Sequence, residues 1–169
     1  CWVGRIDMDK KTLDLGKLLG TFAQSQSERL AAQGFSLIIE SGMPSISANE
    51  SRTLQVFENI LSNALKYANP PEGGCLHIRA VNEPHWLHIY CQDNGPGISP
   101  EYHEKIFGLF YRLDPHIEGT GVGLAVARKI MKFHCGDIRV EPQAKGAEKG
   151  ANFRITFPKD EGGEVDESA

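Results

Sequence analysis

The chain has 169 residues, with 18 Lys plus Arg against 22 Asp plus Glu and a net charge of −4. That is enough for one domain burying roughly two-thirds of the surface its unfolded form exposes, and it lacks the basic excess that attracts a protein to nucleic acid. No stretch approaches the roughly 18 to 20 consecutive apolar residues of a membrane span, and the N-terminus lacks a signal peptide's apolar core, so neither a membrane nor a nucleic acid is expected to touch this domain.

In chain order, residues 1–11 read as the end of a linker, since a start at Cys1 instead of Met suggests a piece of something longer. A short extended stretch from Thr12 to Leu15 leads into Leu18, Leu19, Phe22, Ala23 and Leu30, whose spacing predicts one helix ending at Gly34. Phe35, Leu37 and Ile39 alternate with Ser36 and Glu40 as a half-buried strand, and Pro44 to Asn49 is a connector with room for a short strand. A second helix is expected from about Glu50 to Ala68, stopped by Pro70-Pro71 and Gly73-Gly74. Strands at about Cys75–Val81 and Trp86–Gln92 form a hairpin around Asn82-Glu83-Pro84-His85. Residues 95–119 are rich in glycine, proline and aromatics and longer than ordinary connections, which marks a functional loop or lid. A third helix from about Gly121 places Val122, Val126, Ile130 and Phe133 on one face, leaves Arg128, Lys129 and Lys132 in solvent, and is capped by Gly136. Strands at Ile138–Glu141 and Asn152–Phe157 close the domain, which thus spans residues 12–158. Residues 159–169 are acidic and apolar-poor, the composition of a disordered tail.

The pattern predicts an α/β two-layer sandwich: about three helices on one face of a mixed, mostly antiparallel five-stranded sheet. Cys1, Cys75, Cys91 and Cys135 form no Cys-x-x-Cys pair and read as small buried hydrophobes of a reducing cytoplasm. Cys75 and Cys91 flank the hairpin and could lie near each other.

At 100° per residue, Gln55, Asn59, Asn63, Lys66 and Tyr67 share a polar arc of the second helix opposite Leu54, Phe57, Leu61, Ala64, Leu65 and Ala68. Asparagine is a poor interior helix former, so two of them four residues apart cost stability that an exposed Lys or Glu would not. A solvated face is the plain alternative. The functional one is an oxygen-ligand face, in which carboxamides complete the shell of a magnesium ion already held by triphosphate and Lys66 adds a charge. Glu58, beside that stripe, is either a proton acceptor or a surface charge.

Asp93-Asn94-Gly95-Pro96-Gly97 is either a simple turn or a base site, in which Asp93 accepts from an adenine amino group while Gly95 and Gly97 let backbone pass close to the ring. Gly119-Thr120-Gly121-Val122-Gly123 directly precedes a helix, so its amides can face an anion. The run lacks the Lys-Ser/Thr of a P-loop and the preceding strand of a dinucleotide fold, and the chain has no protein-kinase His-Arg-Asp or Asp-Phe-Gly.

Four motifs together resemble the catalytic and ATP-binding domain of a bacterial sensor histidine kinase, in the gyrase, Hsp90, histidine kinase and MutL superfamily with its Bergerat-type fold. They are an asparagine box from Glu58 to Tyr67, a glycine box from Asp93 to Ile98, a phenylalanine box from Ile106 to Arg112, and a second glycine box from Gly119 to Leu124. The resemblance implies ATP and Mg2+ as ligands, with Asn63 and Asn59 on the metal, and Lys66 and Tyr67 on phosphate and the nucleotide's flank. It further implies Asp93, Gly95, Gly97 and Ile98 around adenine, and Gly119, Thr120, Gly121, Val122, Gly123 and Leu124 at the phosphate end. Arg112 becomes the candidate γ-phosphate contact and Glu58 the candidate general base.

The implied function is transfer of the γ-phosphoryl of ATP to a histidine on a separate dimerisation domain, with a response-regulator receiver domain downstream and a cytoplasmic location. Whether the parent protein is membrane-anchored stays open. His103-Glu104 superficially matches an acceptor motif but lies in the lid segment, and no other histidine has an acceptor context. The alternatives are an ATPase, a serine-phosphorylating anti-sigma-factor kinase, or a non-catalytic nucleotide-dependent interaction module.

Overall fold

The computed structural model describes residues 9–68, 70, 72–117, 119–142 and 149–159. Most of the expected linker, Pro71 and the acidic tail from residue 160 lie outside the described residues. The elements run β1 (Lys11–Asp14), α1 (Leu15–Ser25), α2 (Ser27–Ala32), β2 (Ser36–Ile39), β3 (Ser45–Ala48) and α3 (Glu50–Tyr67), then β4 (Cys75–Asn82), β5 (Trp86–Asp93), α4 (Gly123–Phe133), β6 (Asp137–Val140) and β7 (Asn152–Pro158). Short 3-10 turns at Pro100–Tyr102 and Lys105–Phe107 interrupt the loop between β5 and α4.

Five strands form one sheet in the order β2-β4-β5-β7-β6, with β2 parallel to β4 and every other pair antiparallel. The alternating residues Leu76, Ile78, Leu87, Ile89, Cys91, Phe153, Ile155 and Phe157 are buried under the helices, as the period of a one-sided sheet requires. This is the expected two-layer architecture. In addition, β1 and β3 pair as a separate two-stranded sheet, with Leu13 opposite Ile46.

Helix α3 starts at Asn49, whose side chain accepts from the Arg52 N–H at 3.0 Å, an N-cap of the usual kind. Its buried face is Thr53, Val56, Phe57, Ile60, Leu61 and Ala64, the spacing of a single apolar stripe.

Three expectations need correction. The first helix is two, α1 and α2, because the chain bends at Gln26. Ser25 donates its hydroxyl to the Phe22 carbonyl at 2.7 Å, and the Gln26 N–H is shared between the carbonyls of Phe22 and Ala23, so side-chain competition ends the first helical run. In α4 the fully buried positions are Ala127, Ile130 and Met131, and Val122 lies just before the helix. Arg128 is also not solvated: its guanidinium lies 4.7 Å from the Phe107 ring centroid and 2.8 Å from Glu104, since an arginine stem and a planar cation can cover an aromatic face. For the cysteines, Cys91 faces the core opposite Ile78 and burial drives its thiol pKa far upward. Cys75 pairs with Ser36 at the start of β4 and is half-buried, and Cys135 is exposed, so among the described residues the expectation of buried cysteines holds for Cys91 alone.

Phe57 is 1% exposed on the core face of α3. Phe57→Ala should cost about 3–5 kcal/mol through lost burial and a residual cavity. Urea unfolding checks this, with the midpoint falling and the slope unchanged.

Candidate functional site

Because Val56, Phe57, Ile60 and Leu61 are held in the core, the opposite side of α3 must face the loop that runs from β5 to α4. Between them lies a cleft of about 240 Å³, lined by Asn59, Ser62, Asn63, Lys66 and Tyr67 from α3. The loop and the start of α4 supply Ile98, Ile106, Tyr111, Arg112, Leu113, Ile117, Gly119, Thr120, Gly121, Gly123 and Leu124. Among the described residues the lining holds two cations, Lys66 and Arg112, and no carboxylate, a charge balance that favours an anion.

The glycines at the start of α4 are required by close approach. A Cβ on Gly121, whose φ is +68°, would sit 2.7 Å from the Phe110 carbonyl carbon, and the Gly121 carbonyl accepts from the Phe110 N–H at 2.9 Å. A Cβ on Gly123 would sit 3.1 Å from Asn59 Oδ1. The asparagine face and the start of α4 are therefore in near contact, and Asn59 Nδ2 is buried with no partner among the described residues. An orphaned buried donor facing a cleft costs stability unless something in the cleft satisfies it.

Asp93 ends β5 and is 4% exposed. Its Oδ1 accepts from the N–H of Gly95 and of Ala151, each at 2.9 Å. Burial raises its pKa, and these two bonds oppose the shift. Asp93 and Gly95 line a second, larger cavity of about 870 Å³, and Tyr67 is a wall common to both cavities. Burial raises the Tyr67 pKa as well. Asn94 is structural: it accepts from the Cys75 N–H at 2.8 Å and donates to the Gly73 carbonyl at 2.9 Å.

Of the residues expected from sequence, Asn59, Asn63, Lys66, Tyr67, Ile98, Arg112, Gly119, Thr120, Gly121, Gly123 and Leu124 meet in the smaller cleft, with Asp93 and Gly95 in the adjoining cavity. Gly97 shapes the intervening turn with φ +80°, and neither it nor Val122 lines either cavity. Arg112 lines the cleft, but its guanidinium donates to the carbonyls of Pro115, at 2.7 Å, and Ile117. Glu58 stands off the lining, its carboxylate 2.6 Å from Arg29 of α2. Gln55 is also off the lining and accepts from Arg52.

Sequence reading assigned no individual role to Ser62, within the asparagine box, to Ile106 and Tyr111, within the phenylalanine box, or to Leu113 and Ile117. Ser62 was detectable at three residues from Asn59 on the same helix. The other four come from irregular loop, where no periodicity announces which side chain turns inward. Among the described residues no three His, Cys, Asp or Glu gather as a metal site. A cation here would depend on carboxamides and on oxygens brought by a ligand.

The carboxyl of Asp93 titrates above its unfolded value, so its stabilising contribution is full below that value and lost as pH rises through the folded one. Asp93→Asn keeps an oxygen for both N–H donors and removes the buried charge. Its melting temperature at neutral pH should equal or exceed that of the unsubstituted protein, with the difference shrinking in acid. Calorimetric scans across pH check it, and a clearly lower neutral value would contradict the burial argument.

The family model for histidine kinase-, DNA gyrase B-, and HSP90-like ATPases matches residues 48–161. The chain is 40% identical over 129 residues to the adaptive-response sensory kinase SasA of Thermosynechococcus vestitus, covering 75% of this chain and 33% of SasA. Its backbone is similar to full-length ShkA in complex with AMPPNP, with TM-score 0.76, 27% identity, and 90% of this chain and 32% of ShkA covered. The catalytic domain of the histidine kinase ThkA is similar along nearly its whole length, with TM-score 0.74, 26% identity, and 90% of this chain and 99% of that domain covered. The chain spans 16%, 18% and 33% of the length of three curated relatives it matches.

Proposed function

We propose that this chain, which belongs to the histidine kinase-, DNA gyrase B- and HSP90-like ATPase family, is the catalytic and ATP-binding domain of a sensor histidine kinase that phosphorylates a histidine on a separate dimerisation domain. The observation that carries the reading is the cleft that brings Lys66, Arg112, Asn59 and Asn63 together, adjoining the buried Asp93. Adenine would donate its amino group to the Asp93 oxygen that the Gly95 and Ala151 amides leave free. The triphosphate would lie between Lys66 and the start of α4, whose dipole favours negative charge.

The donor set fits magnesium brought with the triphosphate. Asn63 and Asn59 would hold it, and the metal would neutralise charge spread over the phosphate oxygens. The remaining work belongs to the chain. Lys66 would position phosphate, and the loop expected as a lid over about residues 95–119 would cover the cleft from water. Arg112 holds the carbonyls of Pro115 and Ile117 with Nη2, so a phosphate contact would use the guanidinium's other N–H groups or exchange those carbonyls.

In the transfer, an imidazole nitrogen forms the new N–P bond, the β–γ bridging P–O bond breaks, ADP leaves, and the ring's other N–H loses its proton. Glu58, the candidate to take that proton, has Oε1 paired with Arg29, so it would act through Oε2 or after leaving that pair. Positioning and charge stabilisation supply most of the catalysis in such reactions. ThkA, whose catalytic domain is similar to this chain, is also known in complex with the response regulator protein TrrA, which supports a receiver domain as the downstream partner.

With γ-labelled ATP and magnesium, the isolated chain should bind nucleotide yet acquire no acid-labile label, and label should pass to a dimerisation domain supplied separately. Asn63→Ala should abolish transfer. Label on this chain alone, or none on the acceptor domain, would contradict the reading. Asp93→Asn should weaken ATP binding by about 1–3 kcal/mol, because a donor would then face the adenine amino group. Titration calorimetry reads that loss, and equal affinity would remove the adenine assignment.

A further inference from the structure

His134 is a buried titratable group that the nucleotide cleft does not use. It is 1% exposed, just after the end of α4. Its Nδ1 lies 2.9 Å from the Ile130 carbonyl and its Nε2 3.0 Å from the Asn49 backbone nitrogen. A carbonyl can only accept and a backbone N–H can only donate, so the network assigns the neutral ring with the proton on Nδ1 and a lone pair on Nε2.

Asn49 is the N-cap of α3, and more converges on it. Its carbonyl accepts from the Thr53 N–H and hydroxyl, and its Nδ2 donates to the Asp9 carbonyl at 3.2 Å. Asn59 and Asn63 follow on the same helix about three and four turns later, and Asn59 lies against Gly123 at the other end of α4. Helices α3 and α4 therefore meet at two marked places: a close approach of Asn59 to Gly123 beside the cleft, and the hydrogen bond of Asn49 to His134 at the far end.

We propose that His134 is a positioning residue for the nucleotide site: by accepting from Asn49 it fixes α3 against α4, sets the asparagine face relative to the start of α4, and releases that restraint when its ring is protonated. The proposal rests on the nucleotide reading of the cleft. The groups facing the ring are few. α4 presents the Ile130 carbonyl, α3 the Asn49 N–H, β7 the Phe157 ring at 5.7 Å between centroids, and the segment before β1 the charge of Lys10.

Among the described residues no carboxylate is in that set to stabilise an imidazolium. Burial, with Lys10 adding to it and the Ile130 bond opposing, holds the imidazole below its ordinary range. The sign follows: the contribution of the neutral ring is complete above the unfolded histidine value and is lost as pH falls through the lower folded one.

The test is magnesium-ATP affinity of the unsubstituted chain, His134→Gln and His134→Phe between about pH 5.5 and 8, with amide exchange over residues 50–63 measured without nucleotide. Gln keeps an acceptor that does not titrate, and Phe keeps the ring without an acceptor. The Gln variant should bind within about twofold of the unsubstituted chain at neutral pH, and the Phe variant about three- to tenfold more weakly. The extra weakening of the unsubstituted chain in acid should be missing from the Gln variant. Titration of ATP and of Asp93 is common to both and cancels in that difference. Exchange over residues 50–63 should be faster in Phe than in Gln.

Phe binding as tightly as the unsubstituted chain, or Gln showing the same acid weakening, would overturn the proposal. If Phe fails to fold, the Gln comparison still decides. Absence of ATP binding by the unsubstituted chain would instead refute the nucleotide reading, and equal exchange in the two variants would refute the restraint itself.

Discussion

The two-sidedness of α3 is the constraint on which the rest of the structure depends. Val56, Phe57, Ile60, Leu61 and Ala64 are each no more than 1% exposed, so the helix cannot roll about its axis without losing burial worth about 1.5–3 kcal/mol per large side chain. Locking that roll aims Asn59, Asn63 and Lys66 at one place. Asparagine is costly in a helix interior, and here the cost is offset by the apolar face behind it.

The second wall of the cleft is held differently. The loop between β5 and α4 has only short 3-10 turns, with Ile106 and Phe107 as its buried anchors. Arg128 covers Phe107 and pairs with Glu104, whose side chain is 75% exposed. A cation over an aromatic face contributes about 0.5–1 kcal/mol at a partly exposed site, and an exposed ion pair contributes less. The tip is weaker still: Leu109 and Phe110 face solvent, and Phe110 holds a left-handed backbone, φ +62°, with its N–H on Gly121. A rigid wall of helix thus opposes a wall held by a few modest contacts, the arrangement expected where a cover must open and close.

How legible this was in the sequence depends on period. The strands, α3 and its polar arc follow from alternation and from the 3.6-residue repeat, so the fold class and the carboxamide face could be read directly. The break at Gln26 escaped notice because Leu30 continues the apolar spacing beyond it, while a serine hydroxyl decides locally. Arg128 looked solvated because its charge says nothing of an aromatic ring delivered by a loop more than twenty residues earlier. Glu58 was placed beside the site by helical angle alone. The partner that draws it off, Arg29, lies on a helix whose packing no local pattern encodes. Ile106 and Tyr111 lay within the phenylalanine box without a role of their own, and Leu113 and Ile117 enter the cleft from irregular chain with no period to mark them.

The central claim is that the helical wall is preformed and only the loop responds to nucleotide. Amide hydrogen exchange over the whole chain, with and without magnesium-ATP, tests it most directly. The account predicts that slow exchange in the core half of α3 and in β4, β5 and β7 is unchanged by nucleotide, while residues 99–121 gain protection. Large nucleotide-dependent protection spread through α3 and the central strands would contradict it, because the asparagine face would then be assembled by the ligand and not by the fold.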